Sequence, residues 1–313
     1  MEPYKAPWWL PGGHLQSIYP SLRPPPRARL ERERWRTPDG DFVDVDFGGD
    51  RAAGRLLVLF HGLEGCSDSH YARALARAGE RLGWRVAIPH FRGCSGEPNQ
   101  RPRAYHSGDS DEVDWILGKF GQPVCAAGVS LGGNALLKWL GERGEAAAAV
   151  VRRAAAVSAP LDLAASGRAL DRGFNRLVYT RHFLATLKPK SLAKLERFPG
   201  LYDAARLRAA RTFYEFDDLV TAPLHGFRDT DDYWSRASSG QYLERIRVPT
   251  LVLNARNDPF LPEHALEAAA RKAAPALLLE FPASGGHAGF LSGPFPGGHR
   301  WLPQRLFQFF ERT

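Results

Sequence analysis

Apolar residues in this chain come mostly as short unbroken runs, separated by longer stretches of mixed polarity. Arg55-Leu56-Leu57-Val58-Leu59-Phe60, Arg85-Val86-Ala87-Ile88-Pro89, Val124-Cys125-Ala126-Ala127, Ala154-Ala155-Ala156-Val157-Ser158-Ala159, Thr250-Leu251-Val252-Leu253-Asn254-Ala255 and Ala276-Leu277-Leu278-Leu279-Glu280-Phe281 each have strand length. Runs of this kind, with no polar alternation, fit strands buried on both faces of a parallel sheet. Phe42-Val43-Asp44-Val45-Asp46-Phe47 alternates instead and predicts a half-buried strand closed by Gly48-Gly49. Helical stretches fall between the runs: about Ser69–Arg81 ending at Gly83, about Ser110–Phe120 with acids in its first turn, Asn134–Leu140, and a final one over about Trp301–Glu311. Strands alternating with helices predict a mostly parallel central sheet with helices on both faces.

The alternation stops near Leu161 and resumes near Ile246. Between them lies helical periodicity carrying aromatics, among them Phe174, Tyr179, Phe183, Phe213, Phe216, Tyr233 and Trp234. Residues 162–245 are therefore expected to form a helical cap inserted into a core made of 1–161 and 246–313. Such a cap would lie over the carboxyl edge of the sheet, where open α/β folds place their sites. Residues 1–35, with Leu22-Arg23-Pro24-Pro25-Pro26, are expected to wrap the core as irregular chain.

Composition narrows the function. The 313 residues are 44% hydrophobic and carry a net charge of +8, but the basic residues are scattered along the sequence, which disfavours nucleic-acid binding. Three cysteines without metal spacing disfavour both a disulfide framework and a zinc site, and make a reducing cytoplasm the expected compartment. No apolar run approaches the ~20 residues that span a bilayer, so no stable membrane insertion is expected.

The chemistry concentrates at Gly128-Val129-Ser130-Leu131-Gly132, a G-x-S-x-G turn between an apolar run and a helix-forming stretch. That context marks a nucleophile elbow, in which a serine hydroxyl projects from a tight strand-to-helix turn. A serine needs a base, and the base needs a group that orients it. After the last strand comes Ser284-Gly285-Gly286-His287-Ala288-Gly289-Phe290, which offers His287 as base; His14 and His299 follow the same Gly-Gly pair but lie less favourably. Asp258, in Asn257-Asp258-Pro259-Phe260 after the preceding strand, is the expected acid, with Asp162 as its competitor. The backbone N–H of Leu131 and that of Leu63, in His61-Gly62-Leu63-Glu64-Gly65, are the expected oxyanion donors.

His61, Gly62, Phe174 and Trp234 are candidates for contact with substrate, although His61 and His90 read at least as well as hydrogen-bonded structural residues. His106 to Asp111 contains an H-x-x-x-x-D spacing of the kind found in acyltransferases, and reads equally as a helix start. Asp217, Asp218, Asp229, Asp231 and Asp232 lack metal-site spacing and are expected on a solvated cap surface.

Taken together, Pro7-Trp8-Trp9-Leu10 with His14-Leu15-Gln16, His61-Gly62-Leu63-Glu64-Gly65, Phe91-Arg92-Gly93-Cys94-Ser95-Gly96, the elbow through Asn134, Phe216-Asp217-Asp218, Asn257-Asp258-Pro259-Phe260 and Gly285–Phe290 make the chain resemble the YheT-like α/β-hydrolases over nearly its whole length. The resemblance implies the α/β-hydrolase fold and a Ser–Asp–His hydrolase acting without a cofactor. It also implies small-molecule carboxylic esters as substrates, with short or medium acyl chains or acylglycerols. Acyl transfer, thioester hydrolysis, or a fold kept only for ligand binding remain the alternatives.

Overall fold

The structure, a computed structural model, describes residues 3–312. Eight strands form one sheet: β1 (Glu31–Arg36), β2 (Phe42–Gly48), β3 (Leu56–Phe60), β4 (Arg85–Pro89), β5 (Val124–Val129), β6 (Val151–Val157), β7 (Thr250–Leu253) and β8 (Leu277–Glu280), in the order β1-β2-β4-β3-β5-β6-β7-β8. β1 and β2 run antiparallel to their neighbours, and from β4 to β8 every pairing is parallel. The main helices are α1 (Gly13–Leu22), α2 (His70–Arg81), α3 (Ser110–Gly118), α4 (Leu131–Arg143), α5 (Leu163–Leu170), α6 (Arg181–Arg197), α7 (Ala204–Ala209), α8 (Thr230–Ala237), α9 (Glu263–Ala270) and α10 (Trp301–Phe310).

Side-chain alternation along the strands builds two cores. In β3, Leu56, Val58 and Phe60 join α3, α4 and α9 on one face, while Leu57 and Leu59 join α2 and α10 on the other. The central strands are apolar throughout because both faces are covered.

Two expectations are corrected at the N-terminal side. Residues 1–35 are not wholly irregular, since they contain α1 and the start of β1. The helical signal of α1 is masked by Gly13 at its start and Pro20 inside it, yet Gln16, Ser17 and Pro20 pack inward. β1 reads as polar because its arginines pair across the ladder. Arg32 lies opposite Asp46 and Arg34 opposite Asp44, each at 2.7 Å. For the same reason β2 is buried along its whole length rather than on one face. Its two aspartates enter the interior because a guanidinium meets each of them.

Between β6 and β7 the described chain is helical. It includes α5 to α8, a wide turn over Arg176–Thr180 leading into α6, and a second over Asp217–Thr221. Three small apolar clusters hold this segment. One gathers Leu163, Phe213, Tyr233 and Trp234, another Leu184, Leu207, Phe216 and Leu219, and the third packs Tyr179 on Phe260 and Leu261.

Candidate active site

Ser130 occupies the turn from β5 to α4 with φ 53° and ψ −119°, a left-handed conformation that side chains rarely adopt. The flanking glycines make that turn possible by close approach. A Cβ on Gly132 would meet the carbonyl oxygens of Phe60 and His61 at 2.5 Å, and one on Gly128 would lie 2.3 Å from the Gly132 oxygen. The Ser130 N–H donates to the Val157 carbonyl at 2.8 Å, which ties the turn to β6.

His287 and Asp258 come from the loops after β8 and β7, at the same sheet edge. The Ser130 hydroxyl lies 2.9 Å from His287 Nε2, and His287 Nδ1 lies 2.8 Å from Asp258 Oδ2. The carboxylate accepts the Nδ1 proton, which leaves the Nε2 lone pair facing the hydroxyl. Asp258 is fully enclosed, its second oxygen accepts the Phe260 N–H at 2.9 Å, and the Phe260 ring lies 4.1 Å from the imidazole. The competing residues are engaged elsewhere. Asp162 caps α5 by accepting the Ala165 N–H, His14 meets the Tyr179 hydroxyl, and His299 donates to the Arg23 carbonyl.

In the loop after β3 the N–H groups on either side of Leu63 are committed. The Gly62 N–H donates to the Tyr71 hydroxyl, that of Glu64 to the Tyr105 hydroxyl, that of Gly65 to the Gly62 carbonyl and that of Cys66 to Ser69 Oγ. Among the described residues no acceptor takes the N–H of Leu63 or of Leu131. Both residues line, with Ser130, a cavity of about 770 Å³ between the sheet edge and the helical insertion. Its apolar walls include Leu163, Leu170, Leu187, Phe213, Phe216 and Trp234. Lys190 of α6 pairs with Glu64 at 2.8 Å, fastening the insertion to the loop beside Leu63.

Several expected contacts are corrected by the packing. His61 does not reach the cavity. It is completely buried, its Nδ1–H donates to the Gly62 carbonyl, and its Nε2 accepts the Phe91 N–H. Burial pushes its pKa down to about 3, so the ring is a neutral structural link. Gly62 is also buried outside the cavity lining; its missing side chain lets the loop pass close to Ser130, since a Cβ there would stand 3.2 Å from that of Ser130. Phe174 turns outward, half exposed, against His14. Trp234 does line the cavity. Asp217 leaves the expected solvated surface and faces the cavity, where it accepts from Trp234 Nε1 at 2.8 Å and Thr221 Oγ1 at 2.6 Å. Burial raises its pKa to about 7. His106 also lines the cavity, whereas Asp111 is exposed, so the H-x-x-x-x-D spacing joins nothing.

Some supporting residues went unrecognised in the sequence. Gln16 Oε1 accepts from both the Gly285 N–H and the Asn257 amide at 2.9 Å, and Ser17 Oγ accepts the His287 N–H at 2.8 Å. His70 bonds the Ala288 carbonyl at 2.9 Å, and burial lowers its pKa to about 4, so it acts there as a neutral donor. Only a polar Gln-Ser pair in a proline-rich stretch hinted at this role for α1. Among the described residues no group of three or more potential metal ligands occurs, and no helix is long and apolar enough to cross a membrane.

An elbow serine, a following acid and a histidine at one edge of this sheet define a class, and sequence comparison agrees: the model for the alpha/beta hydrolase fold matches residues 55–294, and the chain belongs to that family. Within it the chain is YheT-like. It is 39% identical to the Escherichia coli (strain K12) esterase candidate YheT, over 94% of this chain and 88% of that protein. It is 29% identical to the phospholipase ABHD3 of Mus musculus, over 94% of this chain and 74% of that protein. An esterase from Exiguobacterium antarcticum shares the fold, with a TM-score of 0.59 at 16% identity over 90% of this chain and 100% of that one.

Proposed function

We propose that this esterase-type α/β hydrolase cleaves carboxylic esters through an acyl-enzyme on Ser130, with His287 as base, Asp258 as its orienting partner, and residues 162–245 as a cap over the acyl site. The observation that carries the reading is the continuous line from the Ser130 hydroxyl through the imidazole to the enclosed Asp258 carboxylate, at 2.9 and 2.8 Å.

In this reading the Ser130 oxygen attacks the ester carbonyl while its proton passes to His287 Nε2. The imidazolium that forms is stabilised by Asp258 across Nδ1. Negative charge on the former carbonyl oxygen is met by the N–H groups of Leu63 and Leu131, each donor of this kind lowering the barrier by about 3 kcal/mol. Collapse breaks the bond to the alcohol, which leaves with the proton from Nε2. Water, deprotonated by the same nitrogen, then releases the acid and restores the serine. The apolar cavity wall fits an acyl chain, and no step calls for a cofactor.

The test is labelling with a fluorophosphonate together with rates on p-nitrophenyl esters of increasing chain length. Wild type is expected to label once and turn over, and Ser130→Ala to do neither, its kcat falling about 10⁴-fold or more. Absence of both labelling and turnover in wild type sinks the proposal and leaves ligand binding as the reading.

A further inference from the structure

Helix α6 has two working faces. Leu187, Lys190, Ser191 and Lys194 look into the catalytic cavity, while Arg181, Leu184, Ala185, Lys188 and Leu192 line a second concavity on the outer side of the insertion. Pro189 borders both. The outer groove is open to solvent and spans about 640 Å³.

Its lining is chemically lopsided. Arg176, Arg181, Lys188, Arg208 and Arg211 all contribute, and no carboxylate does. Among the described residues none of these five cations forms an ion pair. Asp171 and Glu215 lie close enough to act on Arg176 through space, but their oxygens accept backbone N–H groups, those of Phe213 and Tyr214 for Asp171 and those of Arg211 and Thr212 for Glu215. Between the cations the lining is aliphatic, with Leu184 and Ala210 buried, Leu192 half-buried and Leu177 exposed. The Lys188 ammonium donates to the carbonyls of Arg208 and Ala210, so the wall beside α6 is fastened in place. Arg176, Arg181, Arg208 and Arg211 are exposed, so the trough presents a positive rim to solvent, a field that attracts anions. The clustering is invisible in the sequence, where these residues spread over 36 positions, from Arg176 to Arg211.

We infer that this groove binds a single-chain amphiphile with an anionic head, its carboxylate or phosphate held by the guanidinium groups and its aliphatic chain laid along the leucine lining. The concave shape favours one molecule over a bilayer face. Arginine suits both head groups through paired N–H donors. The inference is independent of the chemistry at Ser130.

Calorimetric titration with dodecanoate below its micellar concentration tests it, with dodecyl phosphate and dodecanol as companions. The variant is Arg181→Glu/Arg208→Glu, two exposed side chains outside the catalytic cavity. Dodecanoate also entering the catalytic cavity would show as competitive inhibition of p-nitrophenyl acetate hydrolysis, a separate readout. The expected result is a loss of dodecanoate and dodecyl phosphate affinity of about tenfold or more, with dodecanol binding, the inhibition constant and the melting temperature unchanged. Arg181→Lys/Arg208→Lys is expected to restore most of the affinity. Equal affinity in wild type and the Glu variant overturns the inference. So does an equal loss for dodecanol, and so does binding confined to phosphatidylglycerol vesicles with none to monomeric dodecanoate.

Discussion

The sheet edge carrying Ser130, Asp258 and His287 is built differently from the helical wall facing it. At the edge, position is set by backbone: glycines without room for a Cβ, a left-handed serine, and loops bonded to Gln16, Ser17, Ser158 and His70. Two extensive cores, one on each face of the sheet, stand behind it. The wall rests on three small clusters and on single polar ties such as Lys190 to Glu64. Fewer buried contacts mean a lower cost of local opening. The division suits the proposed ester cleavage. Proton transfer needs heavy-atom distances near 3 Å held at every turnover, whereas an acyl pocket has only to exclude water and match volume.

The sharpest way to break this contrast is at the edge itself. Asp258→Asn keeps the shape but loses the acceptor that fixes the His287 tautomer, and kcat is expected to fall about 10⁴-fold with little change in KM or melting temperature. Comparable activity in the variant would mean that the edge is not organised around this acid.

A smaller effect is expected one shell further out. Gln16→Ala strips the shared acceptor from Gly285 and Asn257, so the loops bearing His287 and Asp258 loosen together. The expected loss is up to about 10²-fold, in kcat rather than KM, with Gln16→Glu recovering part of it by keeping an acceptor oxygen. A loss confined to melting temperature would reduce α1 to a purely structural role.

The mildest effect belongs to the wall. Asp217 has its folded pKa raised from 3.8 to about 7 by burial. The folded state therefore holds its proton more tightly than the unfolded chain does. That contribution is complete below about pH 4 and is lost as pH rises towards and through 7. Asp217→Asn is expected to flatten the fall in melting temperature between pH 5 and 8, with Ser130 turnover on short esters retained. An unchanged pH profile in the variant would assign that fall to other groups.

How far the sequence leads depends on the range of the forces involved. The elbow was readable because strand, turn and helix are consecutive and the glycine requirement is local. The apolar runs from β3 to β7 were readable because strands covered on both faces need no alternation, whereas β8, equally apolar in sequence, lies at the sheet's edge and is only partly buried. Asp258 and His287 could be nominated from their place after a strand end, though only the fold brings the His287 imidazole within 3 Å of both Asp258 and Ser130. Local pattern misled where a distant partner decided. α1 forms despite Pro20 because its inner face fits the histidine loop, and β2 is wholly buried because Arg32 and Arg34 neutralise its aspartates.

The sequence alone determined the order of the elements, the site of the elbow and the residue types available for chemistry, since these follow from neighbours along the chain. Only tertiary structure decided that His61 is sealed inside, that Phe174 turns out while Asp217 turns in, and that five scattered cations meet around one groove. The direction a side chain faces on a helix or loop is set by whatever packs against it, and for these residues that partner lies far away in sequence.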